Sequence, residues 1–227
     1  MAKRSPVPLP GAVERSLDVA LDKAMSVQRP VIVSYLDRMR TKHTTPIQLL
    51  RLLEKRYLAT VSTIGAAAGG AAAIPGIGTG ASVAAAALEI SAFVEATAVF
   101  ALAVAEVYGV PTHNPEYRRA LILGLLLGGH DAALTSSTGN TGQWGEVLAR
   151  RGSTEGMSRL NHRLMRHFVA RFGAQQGALA LGRALPLGLG AGIGAVGNMA
   201  LGRGVIAATR RAFGPPPRVL PPRVIDA

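Results

Sequence analysis

Apolar positions recur at helical spacing in the first part of the chain. Within residues 14–27 they are Leu17, Ala20, Leu21 and Met25. Separations of three, four and eight residues place such side chains on one face of an α-helix. A short helix is predicted over 30–40, and Thr45-Pro46 predicts the start of another, because threonine caps a helix and proline suits its first turn.

The longest uncharged segment runs from Tyr57 to Leu88 and consists mainly of Ala and Gly. The sequence PGIGTG at 75–80 interrupts it, since proline ends a helix and glycine allows a tight reversal. The next helix is predicted over 79–109 and ends at Gly109. Residues 57–109 therefore predict a helical hairpin. Its turn residues are Pro75, Gly76, Gly78 and Gly80.

Three further helical stretches follow the hairpin. The apolar run 120–129 is too short to span a bilayer, and Trp144 is predicted to anchor the helix that follows it. A helix over about 155–172 combines an apolar stripe with an Arg-rich remainder, and a last helix is predicted over 188–213.

The pattern predicts an all-α fold, a compact multi-helix domain around the central Ala/Gly-rich hairpin. No stretch of alternating β-branched residues lies between turn signals, which disfavours a strand-containing fold. We expect a disordered N-terminal arm over 1–12, a single α-helical domain over 13–213, and a Pro-rich disordered tail over 214–227.

Charge is distributed unevenly along the 227 residues. The formal net charge is +12, of which +3 lies in residues 1–131 and +9 in residues 132–227. Between Glu155 and Asp226 there is no carboxylate, whereas eight Arg lie from Arg159 to Arg211. This asymmetry predicts a polyanionic partner, either nucleic acid or an anionic membrane face. An Arg-rich coding bias explains the choice of Arg but not the missing carboxylates.

Composition removes several classes of function. The chain has no Cys, which excludes disulfides, thiolate catalysis and Cys-ligated metals. Aromatic residues make up 4% of the chain, too few to interleave with the basic residues as base-stacking platforms, so nucleic-acid binding is disfavoured. Two glycine runs, at 76–81 and 192–197, match the dinucleotide fingerprint in letters, but neither follows a strand. No cofactor is predicted.

Glycines four residues apart explain the same runs as helix-packing surfaces. Paired glycines on one helical face let two backbones approach closely. The residues predicted to pack in this way are Gly65, Gly69, Gly190, Gly194 and Asn198.

The hairpin raises the question of membrane attachment. Glu95 and Glu106 lie three turns apart on one helical face, which should therefore meet water or basic partners and not lipid. Basic residues flank the hairpin and line the later helix. Those predicted to face a membrane or a partner are Arg51, Lys55, Arg56, Arg118, Arg119, Arg159, Arg163 and Arg166. Surface docking, insertion through 57–103 and a wholly soluble domain remain alternatives.

Catalytic and metal signals are sparse. His162 and His167 are five residues apart, about 140° around a helix, so they do not form a metal-binding pair, and no metal site is predicted. Glu95, Glu106 and His130 are the candidate catalytic residues, against the simpler interpretation of a salt-bridged face and a helix-end cap.

The central and C-terminal segments resemble the bacterial EcsC family. The resemblance rests on IPGIGTG at 74–80, EVYGV at 106–110 leading into PEYRRALILGLL at 115–126, and PLGLGAGIGAVGNMALGRGV at 186–205. It covers roughly residues 45–213 and implies an all-helical protein. It implies no catalytic residues.

The sequence thus favours a non-enzymatic accessory protein on the cytoplasmic face of the cell membrane. We expect it to dock through Arg-rich helices on anionic lipid or on a membrane protein complex. The alternatives are a hydrolase with a carboxylate/His site in the helical bundle and a pore-forming or lytic hairpin. Formation of a homo-oligomer stays open.

Overall fold

The structure is a computed structural model that describes most of the chain. It covers residues 19–27, 29–41, 44–72, 79–129, 134, 137–138, 143–151, 154–183 and 189–220. The side chains of these residues are described as well, except in the ranges 71–87, 151–154 and 171–191.

Helices account for most of this part of the chain. They are α1 (Arg29–Asp37), α2 (Pro46–Ala72), α3 (Thr79–Val107), α4 (Pro115–Leu126), α5 (Trp144–Arg151), α6 (Thr154–Arg183) and α7 (Leu189–Phe213). A further helical segment, residues 19–25, precedes α1. None of the described residues forms a strand, and the predicted all-α class is confirmed.

Local signals set several helix ends. Gly109, with φ of 67°, follows the end of α3, where its N–H donates to the Glu106 carbonyl, as the sequence predicted for a glycine stop. Asn114 caps α4, its Oδ1 accepting from the N–H groups of Glu116 and Tyr117 at 2.9 and 3.3 Å. Pro115 occupies the first turn, where its missing N–H costs nothing.

Helix α4 lies at the centre of the core. All residues from Ala120 to Leu125 are buried, so the helix is covered on every side. Among the described side chains of the apolar stripe of α6, Leu164 and Phe168 are also buried, and α6 packs on α4. The apolar run that is too short to span a bilayer is therefore a core helix. Trp144 begins α5, 4% exposed, with its ring against Gly124.

The closest helix packing joins α2 to α7. A Cβ built on Gly65 would overlap the carbonyl oxygen of Gly194 and lie 2.7 Å from its carbonyl carbon. Further along, a Cβ on Gly202 would lie 2.9 Å from Val61, so the two helices run antiparallel. The sequence predicted close helix packing at Gly65 and Gly194, but it did not predict which helices would meet. Helix α3 does contact α2, but the glycine surface of α2 faces α7, far away in sequence.

Helix α6 continues beyond its predicted end near residue 172 and stops at Arg183. Gly173 and Gly177 lie inside it. An interior glycine costs about 1 kcal/mol relative to alanine, which weakens a helix without ending it.

Some predicted features fall outside the described residues. Pro75, Gly76 and Gly78 of the hairpin turn lie there, as do the arm 1–12 and residues 221–227 of the tail. Gly80 belongs to the first turns of α3. The tail's first residues, 214–220, contact the body: the Gly214 carbonyl accepts from the Tyr108 hydroxyl at 2.9 Å, and Leu220 packs on the core.

Candidate functional site: a cleft beside Glu95 and an arginine-rich helix face

The two carboxylates predicted on one face of α3 both meet basic residues from the N-terminal segments. Lys23 Nζ lies 2.9 Å from Glu95 Oε1. Arg29 donates two hydrogen bonds to Glu106, from Nη2 to Oε1 at 2.7 Å and from Nε to Oε2 at 3.0 Å. The prediction that this face meets basic partners is confirmed. Which cations would pair with it could not be read from the sequence, because Arg29 and Glu106 lie 77 residues apart.

Glu95 also borders a cleft of about 410 Å³ between α1, α2 and α3, which we call the Glu95 cleft. Its lining includes Tyr35, Leu53, Tyr57, Ile64, Val99 and Phe100. The walls are therefore mainly apolar and aromatic. The sequence did not reveal this cleft, since a cleft and a packed core require the same residue types.

The phenol of Tyr57 has a structural role in this cleft. Its ring stacks on Phe100 with centroids 4.6 Å apart, and its hydroxyl lies 2.9 Å from Thr97 Oγ1. Since Thr97 itself donates to the Phe93 carbonyl at 2.8 Å, Tyr57 is the donor. Burial raises the pKa of Tyr57 far above its usual value. Tyr57 therefore holds its proton at neutral pH.

The acidic group of the Glu95 cleft already has a cationic partner. Glu95 is paired with Lys23, and among the described lining residues it is the one carboxylate, with no His beside it. His130 lies outside the described residues. No group of three His, Asp or Glu in the described part of the chain could hold a metal ion. The structure brings Glu95 and Glu106 to one face and gives each a cation.

The side chain of Arg118 forms hydrogen bonds to backbone carbonyls of the protein itself. Its guanidinium donates to the carbonyls of Met25 and Val27, each at 2.9 Å, and to that of Thr112. Burial lowers its pKa. These bonds hold the segment before α1 against α4, so this side chain, predicted to face a membrane or a partner, ties two parts of the fold together. The neighbouring Arg119 is half-buried.

The basic residues of α2 form a surface of mixed charge. Arg51, Lys55 and Arg56 are all exposed. Between them lies Glu54, which accepts two hydrogen bonds from Arg210 of α7 at 2.6 and 2.8 Å.

One face of α6 is exposed and basic over its described side chains; we call it the α6 face. It consists of Arg159, His162, Arg163, Arg166, His167 and Ala170. Arg159 makes one weak contact, 3.4 Å to Glu155, and both side chains of that pair are largely exposed. Arg163 and Arg166 have neither a hydrogen bond nor an ion pair with any described residue. From Arg159 to Ala170 the face carries no carboxylate.

A buried polar pair that the sequence did not reveal lies beside the contact between Gly65 of α2 and Gly194 of α7. Asn198 Nδ2 donates to Glu89 Oε1 at 3.0 Å, and both residues are buried. Asn198 was predicted to pack closely, and it does, since its amide nitrogen would lie 2.9 Å from a Cβ on Gly65. The hydrophobic pattern does not predict the burial of Glu89. The charged side chain of Glu89 is buried, whereas the apolar side chain of the preceding Leu88 is 71% exposed.

One helix of the described part, α3 over Leu88–Val107, is long and apolar enough to cross a membrane. Of its most apolar window, 67% is buried inside the protein, as in the core helix of a soluble domain. The length and composition of this one helix are therefore weak evidence of a membrane span.

Comparison with known proteins returned no matching family model, no matching curated protein and no matching solved structure. The resemblance to the EcsC family therefore stays a prediction from the sequence motifs.

Proposed function

We propose that the protein is a non-enzymatic, membrane-associated accessory protein that docks on an anionic membrane surface through the α6 face. The observation that carries this proposal is the charge of that face. It presents Arg159, Arg163 and Arg166 to solvent without a carboxylate among them. Clustered basic side chains on a helix bind anionic lipid headgroups with about 1 kcal/mol each.

The packing of α6 favours docking over insertion. Its apolar residues Leu160, Leu164 and Phe168 are buried in the core. Inserting α6 as an amphipathic helix would expose the core residues that these side chains cover. Attachment is therefore electrostatic, and we expect it to be screened by salt.

A membrane surface suits the α6 face better than nucleic acid does. Proteins that hold single strands combine basic grooves with aromatic platforms. Within residues 159–170 of α6 the aromatic residue is Phe168, which is 1% exposed and points into the core. The face offers charge without an exposed Phe, Tyr or Trp, which is sufficient for headgroups.

The test is co-sedimentation of the full chain with vesicles of phosphatidylglycerol and phosphatidylcholine, compared with phosphatidylcholine alone. We expect binding to the anionic vesicles only, and release in high salt. The triple variant Arg159→Gln, Arg163→Gln, Arg166→Gln should bind about a hundred-fold more weakly, because three contacts of about 1 kcal/mol are lost.

A charge-matched control separates the α6 face from net charge. Lys55→Gln, Arg56→Gln, Arg203→Gln removes three exposed cations from α2 and α7. It should bind nearly as well as the wild type. An equal loss in both variants would contradict docking through α6. Retention through high salt and carbonate until detergent is added would instead support the inserted or pore-forming alternative.

A further inference from the structure

A second cleft lies between the start of α2, the end of α3 and the end of α7, and it shares Phe100 with the Glu95 cleft. Its volume is about 320 Å³. The apolar wall consists of Ile47, Leu50, Phe100 and Val104. Arg51, Glu54 and Arg210 also line it, and we call it the Arg51 cleft. The segment after α7 lines it too, through Gly214 and Pro216.

The charges of this cleft do not cancel. Arg210 donates to both carboxylate oxygens of Glu54, and this hydrogen bonding raises the pKa of Arg210. The charges of Arg210 and Glu54 therefore cancel each other. Arg51 is left with no hydrogen bond or ion pair to any described residue. The cleft therefore joins an apolar wall to one unbalanced guanidinium.

The other polar groups nearby are already engaged. Thr209 is buried and donates its hydroxyl to the Val205 carbonyl at 2.8 Å. Tyr108 donates to the Gly214 carbonyl. Neither hydroxyl hydrogen is available to a ligand without breaking these bonds, which leaves Arg51 as the free polar recognition group. At the same cleft Ile47 is 44% exposed, an apolar side chain with part of its surface uncovered.

We propose that the Arg51 cleft binds a single-chain amphiphile with an anionic head, such as a medium-chain fatty acid or an alkyl phosphate. The head would bind the Arg51 guanidinium, whose paired donors match a carboxylate or a phosphate. The chain would lie against Leu50, Phe100 and Val104. A volume of 320 Å³ is at the small end of ligand pockets and fits one acyl chain, not the two chains of a phospholipid.

This proposal does not depend on membrane docking. It is tested by titration calorimetry of the full chain with decanoate, in buffer without vesicles and below the micelle concentration. We expect saturable binding of one molecule. Dodecanoate should bind more tightly, by about four-fold for each added methylene that the cleft still buries. Decyl phosphate is the second arm, and its affinity relative to decanoate identifies which head the cleft prefers.

Matched variants locate the site. Arg51→Gln should weaken decanoate binding about ten-fold or more, because a charge-assisted hydrogen bond is lost. Arg56→Gln removes the same charge from an exposed position outside the cleft lining and should change affinity less than two-fold. Ile47→Glu should weaken binding by adding a like charge, whereas Val31→Glu, at another exposed apolar position, should not.

Three results would overturn the proposal. One is the lack of saturable binding by either anion. Another is equal weakening by Arg51→Gln and Arg56→Gln. The third is binding of decyltrimethylammonium as tight as that of decanoate, which would show that the cleft does not select an anion. Thermal unfolding of each variant checks that the fold is intact, as expected for substitutions at exposed positions. The α6 triple variant should bind decanoate normally.

Discussion

At the crossing of α2 and α7, a backbone carbonyl lies where a side chain at position 65 would be. The neighbouring atoms at Gly65 are backbone atoms of Gly194 and the amide of the buried Asn198. A flexible side chain can move aside, whereas a helix backbone moves only with its neighbours. Glycine at this position is therefore required by packing and not by dihedral freedom.

We predict that Gly65→Ala destabilises the protein by about 1–3 kcal/mol, the range typical of overpacked cores. Gly192→Ala is the control, since it lies in the same glycine-rich pattern on α7 with nothing within 4 Å of its Cβ. That change should be neutral or should stabilise by up to about 1 kcal/mol, because alanine favours helix. Urea unfolding measures both. Equal effects would contradict the α2–α7 crossing.

At the scale of elements, the N-terminal segments are attached to the bundle by polar contacts as well as by apolar ones. Residues 25–27 have two carbonyls bound to Arg118. Arg29 and Lys23 then pair with the acidic face of α3. Helix α1 adds the buried Ile32 and Leu36. The region before α2 is thus positioned by five charged side chains of α3, α4 and the N-terminal segments.

We predict that Arg118→Met destabilises the protein by about 2–3 kcal/mol, because three carbonyls lose a charged donor. Hydrogen exchange should rise in residues 19–37 more than in α4 or α7, since those residues depend on the lost contacts. Arg56→Met, at an exposed position without a described partner, should stay within about 0.5 kcal/mol of the wild type. Uniform exchange across the chain would argue against this role of Arg118.

For the whole molecule, buried phenols couple stability to alkaline pH. Burial raises the pKa of both Tyr57 and Tyr117 well above that of an exposed tyrosine. The unfolded chain ionises these phenols near pH 10, whereas the folded chain keeps them protonated. Above pH 10 the unfolded state therefore binds fewer protons, and stability falls as pH rises.

We predict that the free energy of unfolding is insensitive to these groups below pH 9 and falls above pH 10. The slope should reach about 1.4 kcal/mol per pH unit for each of the two phenols. Urea unfolding at intervals from pH 8 to pH 11.5 measures it. The double variant Tyr57→Phe, Tyr117→Phe should lose most of the slope. A wild-type slope that is unchanged in this variant would assign the effect to other groups.

Much of the secondary structure was predictable because its signals are local. The proline and asparagine at the start of α4 and the glycine after α3 act on neighbouring backbone groups. The hydrophobic period of α6 predicted which side would be buried, and Leu164 and Phe168 are buried as predicted. The same period left Arg163 and Arg166 outside. Helix lengths were less predictable where glycine weakens a helix without ending it.

The sequence by itself determined the all-α class, the acidic face of α3 and the basic face of α6, since each follows from residue type and helical period. Only the tertiary structure decided that the glycines of α2 meet α7, that Arg118 binds backbone carbonyls, and that Glu89 is buried beside Asn198. The physical reason is distance along the chain. Period and capping act within a few residues, whereas these contacts join residues that become neighbours only when whole helices pack.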